Sequence, residues 1–531
     1  MGVAIVSVVY SWTERTFLST RVWAQLLIVF LFTVTTSLSL ARSEENGPVA
    51  RPNIVLILAD DLGYGDVGVY GSKHVRTPNI DELAREGVQF TSGYVAAAVC
   101  SPSRAALITG RYAQRFGYHF NNNGRSGLPA SEKTISERLS EKGYRTGLVG
   151  KWHLGWRESQ RPNRRGFDYF YGMDSRGIFI SPDAKGVETW IPGGYDGTRE
   201  NSTIRPSSES LIARYTLSSR DQHPLYKNEN PVEDSGYLTE TITREALGFI
   251  ERNKTDPFFL YVAHYAPHVP LQATKKYLDL YRGIALEQQR IYSAMVSALD
   301  DSVGAIKAKI REEGLAEKTL IIFLSDNGCA KYTQGACTNS PFSGGKRYQL
   351  EGGVRVPYIM HWPATIPRTQ FEPMVSSLDI VPTILAASGI KRTSEDRIDG
   401  VDLIKFLRGE DKSIPHEALF WRAGPNRAVR FNNWKLWKVN KTTRDRALLT
   451  PNGELIRAVA DRDSPMGQLT VLYDLSTDPG ERINLVNEHP TIVETLEGML
   501  ADWDSEMSEP SVDSNRTTAA FIEGSAVELI F

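Results

Sequence analysis

The fold of this chain is decided by residues 53–61, which read Asn-Ile-Val-Leu-Ile-Leu-Ala-Asp-Asp. The run before the aspartates is uncharged and rich in aliphatic and β-branched side chains, as is typical of a strand covered on both faces. Such strands belong to parallel sheets that carry helices on each side. The two aspartates fall where the strand ends, and binding sites collect there in α/β sheets. The stretch therefore predicts an α/β fold with a polar site at one edge of its sheet.

Strands and helices alternate from here to about residue 415. Further strands are predicted at 145–150, 257–263 and 319–325, and helices at 79–87, 131–143 with Ser131 as cap, 239–252 and 286–314. This alternation predicts a sheet with helices on both faces. The segment Ser175–Ser235 has little periodicity, and we interpret it as an insertion that shapes a substrate pocket.

Beyond residue 415 the pattern changes to short alternating strands. They are predicted at 418–421, 428–431, 434–439 and 472–475, with an amphipathic helix at 490–507 and no assignment for the tail 508–531. This pattern predicts an antiparallel sheet with one helix. We therefore expect a leader at 1–41, a large catalytic domain at 50–415 and a smaller α+β domain at 416–531.

Polar side chains follow each strand that we predict for the large domain. They are Asp60-Asp61 after the first, Lys151 and His153 after 145–150, His264 and His268 after 257–263, and Asp326-Asn327 after 319–325. Either acidic pair alone also fits an ordinary turn. Together the pairs offer three carboxylates and an amide, which are hard oxygen ligands without the Cys/His clustering of a zinc site. We expect Ca²⁺ or Mg²⁺ there.

A single cysteine opens the segment Cys100-Ser-Pro-Ser-Arg-Ala-Ala-Leu-Ile-Thr-Gly-Arg111. Pro102 suits the first turn of a helix and Gly110 suits its end. Cys100 is therefore predicted at a helix N-terminus, where backbone amides favour an anion and lower a thiol pKa. Arg104 lies one turn later on the same face. Taken alone, Cys100 also fits a small buried apolar residue.

Three further residues stand out from ordinary surface positions. Lysines are usually solvated, but Lys151 adjoins a tryptophan and Lys346 follows two glycines. His268 lies in Ala-Pro-His-Val-Pro, a rigid loop that can aim one imidazole. We interpret His264 as a residue of the core or a support for the site.

Composition and cysteine usage limit the class of protein. The chain has 531 residues, is 41% hydrophobic and carries a formal net charge of −2, which gives no nucleic-acid footprint. Its three cysteines exclude a disulfide framework. Cys329 and Cys337 are close enough in sequence for a disulfide that closes a small loop, which would leave Cys100 unpaired. The alternative, that all three cysteines are free thiols, fits the sequence equally well.

The N-terminus predicts the secretory route. Residues 22–34 form an apolar run of signal-peptide length, and Ser39-Leu40-Ala41 fits a cleavage site. An uncleaved signal anchor is the alternative. Four glycosylation acceptors, Asn201, Asn253, Asn440 and Asn515, are compatible with this route. We expect a secreted, lysosomal or periplasmic protein, depending on the source.

The segment beginning at Cys100 resembles the signature of type I sulfatases, in which the cysteine is oxidised to formylglycine. Only Ile108 departs from it, where the family usually has leucine. Further segments resemble family landmarks in the family's order, namely 51–66, 150–155, 324–328, 344–346 with 351–355, and 473–475 with 478–479. The resemblance implies the alkaline-phosphatase-like architecture, a large mixed sheet flanked by helices with a smaller C-terminal α+β domain.

The resemblance also implies the site residues and partners. Ca²⁺, with Mg²⁺ less expected, would be held by Asp60, Asp61, Asp326, Asn327 and the modified Cys100. The residues Arg104, Lys151, His153, His268 and Lys346 match the remaining active-site positions, and Ser175 aligns only loosely with one more. A formylglycine-generating enzyme would act on the chain during maturation.

The implied reaction is hydrolysis of a sulfated carbohydrate or an aryl sulfate. One hydroxyl of the hydrated aldehyde attacks sulfur, and the second loses its proton, to His153, so that the covalent sulfoenzyme decomposes. His268 protonates the departing alcohol. Two alternatives remain: a phosphatase or phosphodiesterase on the same scaffold, and a non-catalytic secreted homologue whose Cys100 is never converted.

Overall fold

The computed structural model describes residues 51–121, 123–173, 187–190, 224–234, 236–393, 396–442, 446–449, 455–458, 467–514 and 517–530. The predicted leader, Ser175 and the acceptors Asn201 and Asn515 lie outside the described residues. Residues 51–531 form one compact unit, and the division at residue 415 stays a prediction. Within the described ranges, no helix is both long and apolar enough to cross a bilayer.

The strands of the described residues are numbered in chain order. They are β1 (Asn53–Ala59), β2 (Val88–Phe90), β3 (Gly93–Tyr94), β4 (Arg145–Lys151), β5 (Tyr169–Met173), β6 (Val187–Trp190), β7 (Leu225–Lys227), β8 (Asn230–Val232), β9 (Phe258–Ala263), β10 (Leu271–Thr274), β11 (Thr319–Ser325), β12 (Tyr358–His361), β13 (Thr369–Phe371), β14 (Val375–Ser376), β15 (Ala418–Ala423), β16 (Asn426–Phe431), β17 (Trp434–Asn440), β18 (Arg446–Leu449), β19 (Leu455–Ala458), β20 (Gln468–Asp474), β21 (Thr517–Ile522) and β22 (Ser525–Ile530).

The α-helices of the same residues follow the same convention. They are α1 (Pro78–Glu86), α2 (Cys100–Thr109), α3 (Asn123–Ser126), α4 (Ile135–Ser140), α5 (Leu238–Asn253), α6 (Lys275–Leu278), α7 (Glu287–Glu312), α8 (Glu351–Val354), α9 (Ile380–Ala387), α10 (Leu403–Leu407) and α11 (Pro490–Ser505).

The main sheet has ten strands in the order β13-β2-β12-β11-β1-β9-β4-β5-β7-β8. Its central strands β11, β1, β9, β4 and β5 are parallel, while β12 runs antiparallel to β11. The sheet is therefore mixed, with a parallel centre, and the predicted α/β fold is confirmed.

Strand β1 lies at the centre of this sheet and is buried on both faces. Ile54, Leu56 and Leu58 pack into one hydrophobic cluster, while Val55 and Ile57 pack into another on the opposite face. Successive side chains of a strand point to opposite faces, so a continuous apolar run is what a doubly covered strand requires. The apolar run at 53–59 therefore predicted both the first and the last residue of this strand correctly.

The prediction of a helix at 131–143 is wrong about both the first and the last residue. It spans only Ile135–Ser140, and its N-cap is Thr134 rather than Ser131. Thr134 and Glu137 form a capping box, in which each side chain accepts a hydrogen bond from the other's backbone amide. Because this box satisfies two amides that a helix start leaves unpaired, the helix begins there.

The C-terminal part forms the predicted antiparallel sheet, in the order β15-β16-β17-β20, with α11 packed against β16 and β17. The tail that had no assignment forms the hairpin β21–β22, which joins β18 and β19 in a second sheet. The side chains of Ala520, Ile522, Val527 and Leu529 pack into one hydrophobic cluster with the first C-terminal sheet.

A buried ionic cluster joins the C-terminal sheet to α8. Lys435 Nζ lies 2.8 Å from Glu351 Oε1, and the Glu351 amide donates to Glu481 Oε2 at 2.7 Å. All three side chains are buried. Breaking such a pair leaves an uncompensated charge in the core, so the cluster anchors the chain just beyond Lys346.

Candidate active site

The polar pairs at the ends of β1 and β11 meet at one edge of the main sheet. The two strands are adjacent and parallel, with Ala59 paired to Ser325, so the residues that follow them are brought side by side. The Asp61 amide donates to Asp326 Oδ1 at 3.2 Å, and Asn327 Nδ2 donates to Asp61 Oδ1 at 2.7 Å. Together with Asp60, these side chains are buried.

This set of residues has the chemistry of a cation site. Asn327 Oδ1 is buried and has no hydrogen-bond partner among the described residues. One ligand atom from each of Asp60, Asp61, Cys100 and His268 lies within 4.8 Å of the others. Buried carboxylates that converge with an unpaired amide oxygen are the hard donors that Ca²⁺ and Mg²⁺ take. The residues present therefore fit a divalent cation.

Cys100 is the first residue of α2, and Gly110 ends that helix in a left-handed conformation with φ of 71°. The Cys100 Sγ lies 3.5 Å from Asp60 Oδ1 and 3.8 Å from Asp61 Oδ1. The expectation of a lowered thiol pKa is wrong for the unmodified residue. Burial raises the pKa of Cys100, and the charge of Asp326 raises it further. Desolvation and the acidic neighbours outweigh the helix N-terminus.

Three buried basic side chains face the three carboxylates. Lys151 Nζ lies 2.7 Å from Asp60 Oδ2, an Arg104 guanidinium nitrogen lies 2.8 Å from Asp326 Oδ2, and Lys346 Nζ lies 2.8 Å from Asp61. Burial alone would raise the pKa of Asp60, but Lys151 and its other cationic neighbours hold it well below the ordinary value. The cluster is thus balanced in charge, one base for each acid.

His153 follows β4 in a left-handed conformation, with φ of 62°. Its carbonyl accepts a hydrogen bond from Ser101 Oγ at 2.8 Å, which ties it to the start of α2. Burial, then the charges of Lys151 and Arg104, hold the pKa of His153 well below the ordinary value. The ring is therefore neutral at pH 7 and is able to accept a proton.

His268 reaches the cluster from the loop after β9. Its Nε2 lies 3.6 Å from Asp61 Oδ2, and its Nδ1 lies within hydrogen-bond distance of the Val269 carbonyl. A carbonyl accepts only, so the proton of a neutral ring lies on Nδ1. Burial and Lys346 lower the pKa of His268 to about 4. His268 consequently carries a proton on Nε2 only when a nearby anion favours the charged ring.

His264 lies in the core. It is fully buried, and its Nε2 lies 3.0 Å from Ser302 Oγ. Burial lowers its pKa to about 3, against an ordinary value of 6.5. The folded state thus keeps the ring neutral while the unfolded chain takes up a proton below pH 6.5.

This shift predicts that His264 makes the protein less stable in acid. We expect the stability that it contributes to be complete above pH 6.5 and to fall towards pH 3, by up to about 1.4 kcal/mol per pH unit. The measurement is the free energy of unfolding of the parent and His264→Gln at several pH values. The parent should lose more stability between pH 7 and pH 5 than the variant does. Parallel curves would contradict this.

Sequence reasoning missed two residues that hold the start of α2. The Ser101 amide donates to Asn121 Oδ1 at 3.0 Å, and Ser101 Oγ also shares a hydrogen bond with Tyr118 at 2.8 Å. Ser101 lies inside the segment that begins at Cys100, so its place beside Cys100 can be read from the sequence. Its partners come from a loop about twenty residues away, and no local pattern predicts that contact.

The structure settles the pairing of the three cysteines. Cys329 and Cys337 form a disulfide, and Cys100 is free. Of the alternatives open from sequence, the small closed loop is therefore the one observed.

Comparison with known proteins agrees with this geometry. A family model described as Sulfatase matches residues 52–390, and a second, described as N-sulphoglucosamine sulphohydrolase, C-terminal, matches residues 344–506. The chain belongs to the sulfatase family. The protein is accordingly an enzyme that hydrolyses sulfate esters.

Individual relatives cover most of the chain. It is 33% identical to an arylsulfatase of Hemicentrotus pulcherrimus over 84% of this chain and 79% of the relative. It is 34% identical to the N-acetylgalactosamine-6-sulfatase of Rattus norvegicus over 83% of this chain and 82% of the relative. The crystal structure of Ps i-CgsB superposes with a TM-score of 0.71 at 32% identity, covering 87% of this chain and 94% of that one.

The same architecture also occurs with a different chemistry. The phosphonate monoester hydrolase of Agrobacterium radiobacter superposes with a TM-score of 0.57 at 18% identity. At that identity the likeness concerns the fold alone. The sulfatase relatives therefore decide the reaction, and a phosphatase is not favoured.

Proposed function

We propose that this enzyme is a formylglycine-dependent sulfatase that removes sulfate from a sulfated carbohydrate. The observation that carries the proposal is the position of Cys100, at the first residue of α2 with Sγ against Asp60 and Asp61. In this structure Sγ stands in for an oxygen of the hydrated aldehyde. Oxidation of Cys100 to the aldehyde, followed by addition of water, would put two hydroxyls on the carbon beside the proposed cation ligands.

The proposed reaction has two halves. In the first, one hydroxyl of residue 100 attacks sulfur and loses its proton, the bond from sulfur to the alcohol oxygen breaks, and the alcohol leaves with a proton from His268, which the released proton then replaces. In the second, the other hydroxyl loses its proton to His153, the aldehyde re-forms, and the bond from residue 100 to the sulfate oxygen breaks. Only a geminal diol carries that second hydroxyl.

The residues of the site suit these roles. The neutral ring of His153 accepts a proton, and a bound sulfate ester supplies the anion that favours a charged His268. Lys151 and Lys346 would contact sulfate oxygens. Arg104 lies one helical turn from residue 100 and would lower the pKa of its hydroxyl. Lys151, Lys346 and Arg104 are buried and held by short contacts to carboxylates, so little reorganisation of these charges is needed during reaction.

We propose Ca²⁺ as the cation, held by Asp60, Asp61, Asp326, Asn327 and the modified residue 100. Calcium accepts six to eight oxygen ligands in flexible geometry, which suits residues from two strand ends and a helix. When bound, it supplies positive charge that stabilises the anions of the reaction. The cation then neutralises the carboxylates in place of the bases. The positive charges of Lys151, Arg104 and Lys346 are therefore available to a sulfate group.

Removal of the cation is expected to lower both stability and activity. Dialysis against EGTA should lower the melting temperature, since the carboxylates lose their partner, and re-addition of Ca²⁺ at 100-fold its Kd should recover about 2.7 kcal/mol. The measurement is thermal unfolding of the parent enzyme in the absence of substrate, which separates binding from turnover, and the rate of sulfate-ester hydrolysis is measured on the same samples. Asp326→Asn is the matched variant and should show a much smaller calcium response. An unchanged melting temperature after EGTA, with calcium absent by elemental analysis, would contradict the proposal.

Two relatives support a carbohydrate substrate. One is the rat N-acetylgalactosamine-6-sulfatase, and Ps i-CgsB has been crystallised with k-i-k-neocarrahexaose. Both are similar to this chain over most of its length. An aryl sulfate is the second candidate, supported by the arylsulfatase relatives.

The decisive experiment is mass spectrometry of the tryptic peptide Glu86–Arg104, from protein expressed with a formylglycine-generating enzyme. We expect a mass in which CHO replaces CH₂–SH, together with release of sulfate from sulfated oligosaccharides. An unmodified thiol in protein that still releases sulfate would contradict the mechanism. If the thiol is unmodified and sulfate esters are inert, phosphate esters become the next substrates to assay.

We also propose that the chain enters the secretory route. The apolar run at 22–34 supports this, and so does the disulfide, because disulfides persist in oxidising compartments. N-terminal sequencing of protein from the source organism tests it. A mature chain that begins near residue 42 is expected, and an intact N-terminus in a cytosolic fraction would contradict it.

A further inference from the structure

A cavity lies beside the active site, at the same edge of the main sheet. Its walls come from residues 65–75, which follow β1, and from residues 335–341, which follow β11, and the first turns of α7 close one side. Its volume is about 490 Å³, within the range of about 300–1,000 Å³ that is usual for ligand pockets. The cavity is therefore large enough to hold a sugar unit.

One phenol connects the wall of this cavity to the active site. Asp66 lines the cavity and accepts a hydrogen bond from the Tyr292 hydroxyl at 2.9 Å. The same hydroxyl lies 3.4 Å from the carbonyl oxygen of Asp61, whose side chain belongs to the proposed cation site. The cavity and the active site are therefore neighbours, with a single hydroxyl between Asp66 and the backbone of Asp61.

The disulfide-closed loop 329–337 also lies between the two sites. Cys337 lines the cavity, while the hydroxyl of Tyr332 in the same loop lies 3.5 Å from Asp61 Oδ2. The disulfide joins Cys337 to Cys329, just beyond the end of β11. A substrate chain that leaves the active site across this loop would reach the cavity next.

The accessible charge of the cavity is positive. Lys73 and His74 line it and are exposed, and neither side chain forms an ion pair or a hydrogen bond within the part of the chain that the structure describes. Asp66 is the only acidic residue among the described lining residues. It is buried and already accepts from the Thr338 amide at 3.1 Å. A ligand that enters thus meets unpaired basic groups, which favours an anion.

Uncharged polar groups complete the lining. The amide of Gln289 and the hydroxyl of Ser340 face no hydrogen-bond partner among the described residues. An amide and a hydroxyl can each donate and accept, as sugar hydroxyls require. Basic groups for an anion and neutral groups for hydroxyls therefore occur together in one cavity, which is the combination that a sulfated sugar needs.

We propose that this cavity is a subsite for a second sulfated sugar of the substrate chain, and that Lys73 and His74 contact its sulfate group. The inference rests on the proposed sulfatase function and specifies its substrate further, as a chain with more than one sulfate. One sulfate ester would lie at residue 100 while a neighbouring sugar occupies the cavity. The enzyme would then bind multiply sulfated chains more tightly than chains with one sulfate.

The test compares Lys73→Ala/His74→Ala with the parent on 4-nitrophenyl sulfate and on a multiply sulfated hexasaccharide. A hydrogen bond to a charged group corresponds to about 10- to 100-fold in affinity. Contacts in the cavity are the same in the ground state and the transition state, so their loss raises KM and leaves kcat unchanged. We expect KM for the hexasaccharide to rise at least about tenfold, while KM for 4-nitrophenyl sulfate, which is too small to reach the cavity, stays within about twofold.

Two further variants sharpen the comparison. Lys318→Ala is the matched control, because Lys318 is also exposed but precedes β11 and so lies at the opposite edge of the sheet. It should leave KM for both substrates within about twofold of the parent. Lys73→Glu places a negative charge at the cavity and should raise KM for the hexasaccharide further than Lys73→Ala does. A hexasaccharide with a single sulfate should bind the parent and the double variant equally well.

Several results would overturn the subsite. They are an unchanged KM for the multiply sulfated hexasaccharide in the double variant, an equal rise in KM for 4-nitrophenyl sulfate, and an equal loss with the monosulfated chain. A parent that hydrolyses 4-nitrophenyl sulfate but no sulfated oligosaccharide would overturn it as well, while leaving the sulfatase mechanism intact. A parent that hydrolyses neither substrate would instead overturn the proposed function, and this inference with it.

Discussion

Cys100→Ala is expected to show essentially no turnover of any sulfate ester. The variant has no carbon that can carry two hydroxyls, so neither half of the proposed reaction has its nucleophile. Enzymes lower barriers by about 8–23 kcal/mol, and the remaining charges of the site supply only part of that. The measurement is kcat/KM on 4-nitrophenyl sulfate with protein whose melting temperature matches the parent.

Cys100→Ser sharpens this prediction. A serine offers one hydroxyl, so transfer of the sulfuryl group to residue 100 remains possible. Release of sulfate does not, because there is no second hydroxyl to lose a proton. We expect one turnover at most and a stable sulfoserine, detected by mass spectrometry of the peptide Glu86–Arg104. Either variant turning over near the parent rate would exclude the formylglycine mechanism.

Lys346→Ala is expected to lower kcat/KM by about 10²–10³, the typical value of one preorganised donor. Its Nζ is buried, lies 2.8 Å from Asp61, and is held in the charged form. Burial lowers the pKa of Lys346, but Asp61 and its other anionic neighbours outweigh it, so the pKa lies well above the ordinary value. The lysine therefore carries its charge at any pH at which the enzyme works.

Two controls accompany this variant. Lys405→Ala removes an exposed lysine and should leave kcat/KM within about twofold of the parent. Lys346→Arg keeps the charge but replaces a compact ammonium by a planar fork, so only partial recovery is expected. If the Lys346→Ala variant keeps the parental kcat/KM and binds calcium with unchanged affinity, the assignment of Lys346 to the sulfate group is wrong.

Much of the site was predictable because its residues follow strands of unusual sequence. Residues 53–59 and 319–325 are rich in aliphatic side chains and carry no charge, and both form strands with those limits. Asp60, Asp61, Asp326 and Asn327 come next in the chain, so adjacent parallel strands bring them together. Their roles as metal ligands stay predictions, as do the catalytic roles of the other site residues.

Most of the parts that were missed depend on contacts between distant segments. The limits of α4 are the exception, because the Thr134–Glu137 capping box that sets its start is local, whereas the helical pattern extends from 131 to 143. The pKa of Cys100 is raised by burial and by Asp326, which is remote in sequence. Tyr332 has no motif of its own and reaches Asp61 only through the fold of its loop.

The sequence by itself determined the family, the parallel core of the sheet and the types of residue at the strand ends. These features are local, because apolar periodicity and a contiguous motif are readable along the chain. Only the tertiary structure decided that three bases pair with three carboxylates, that Asn327 Oδ1 is left without a partner among the described residues, and that the tail pairs with β18. Such pairings depend on the positions of atoms from segments far apart in the chain, and burial makes their charges matter because little water screens them.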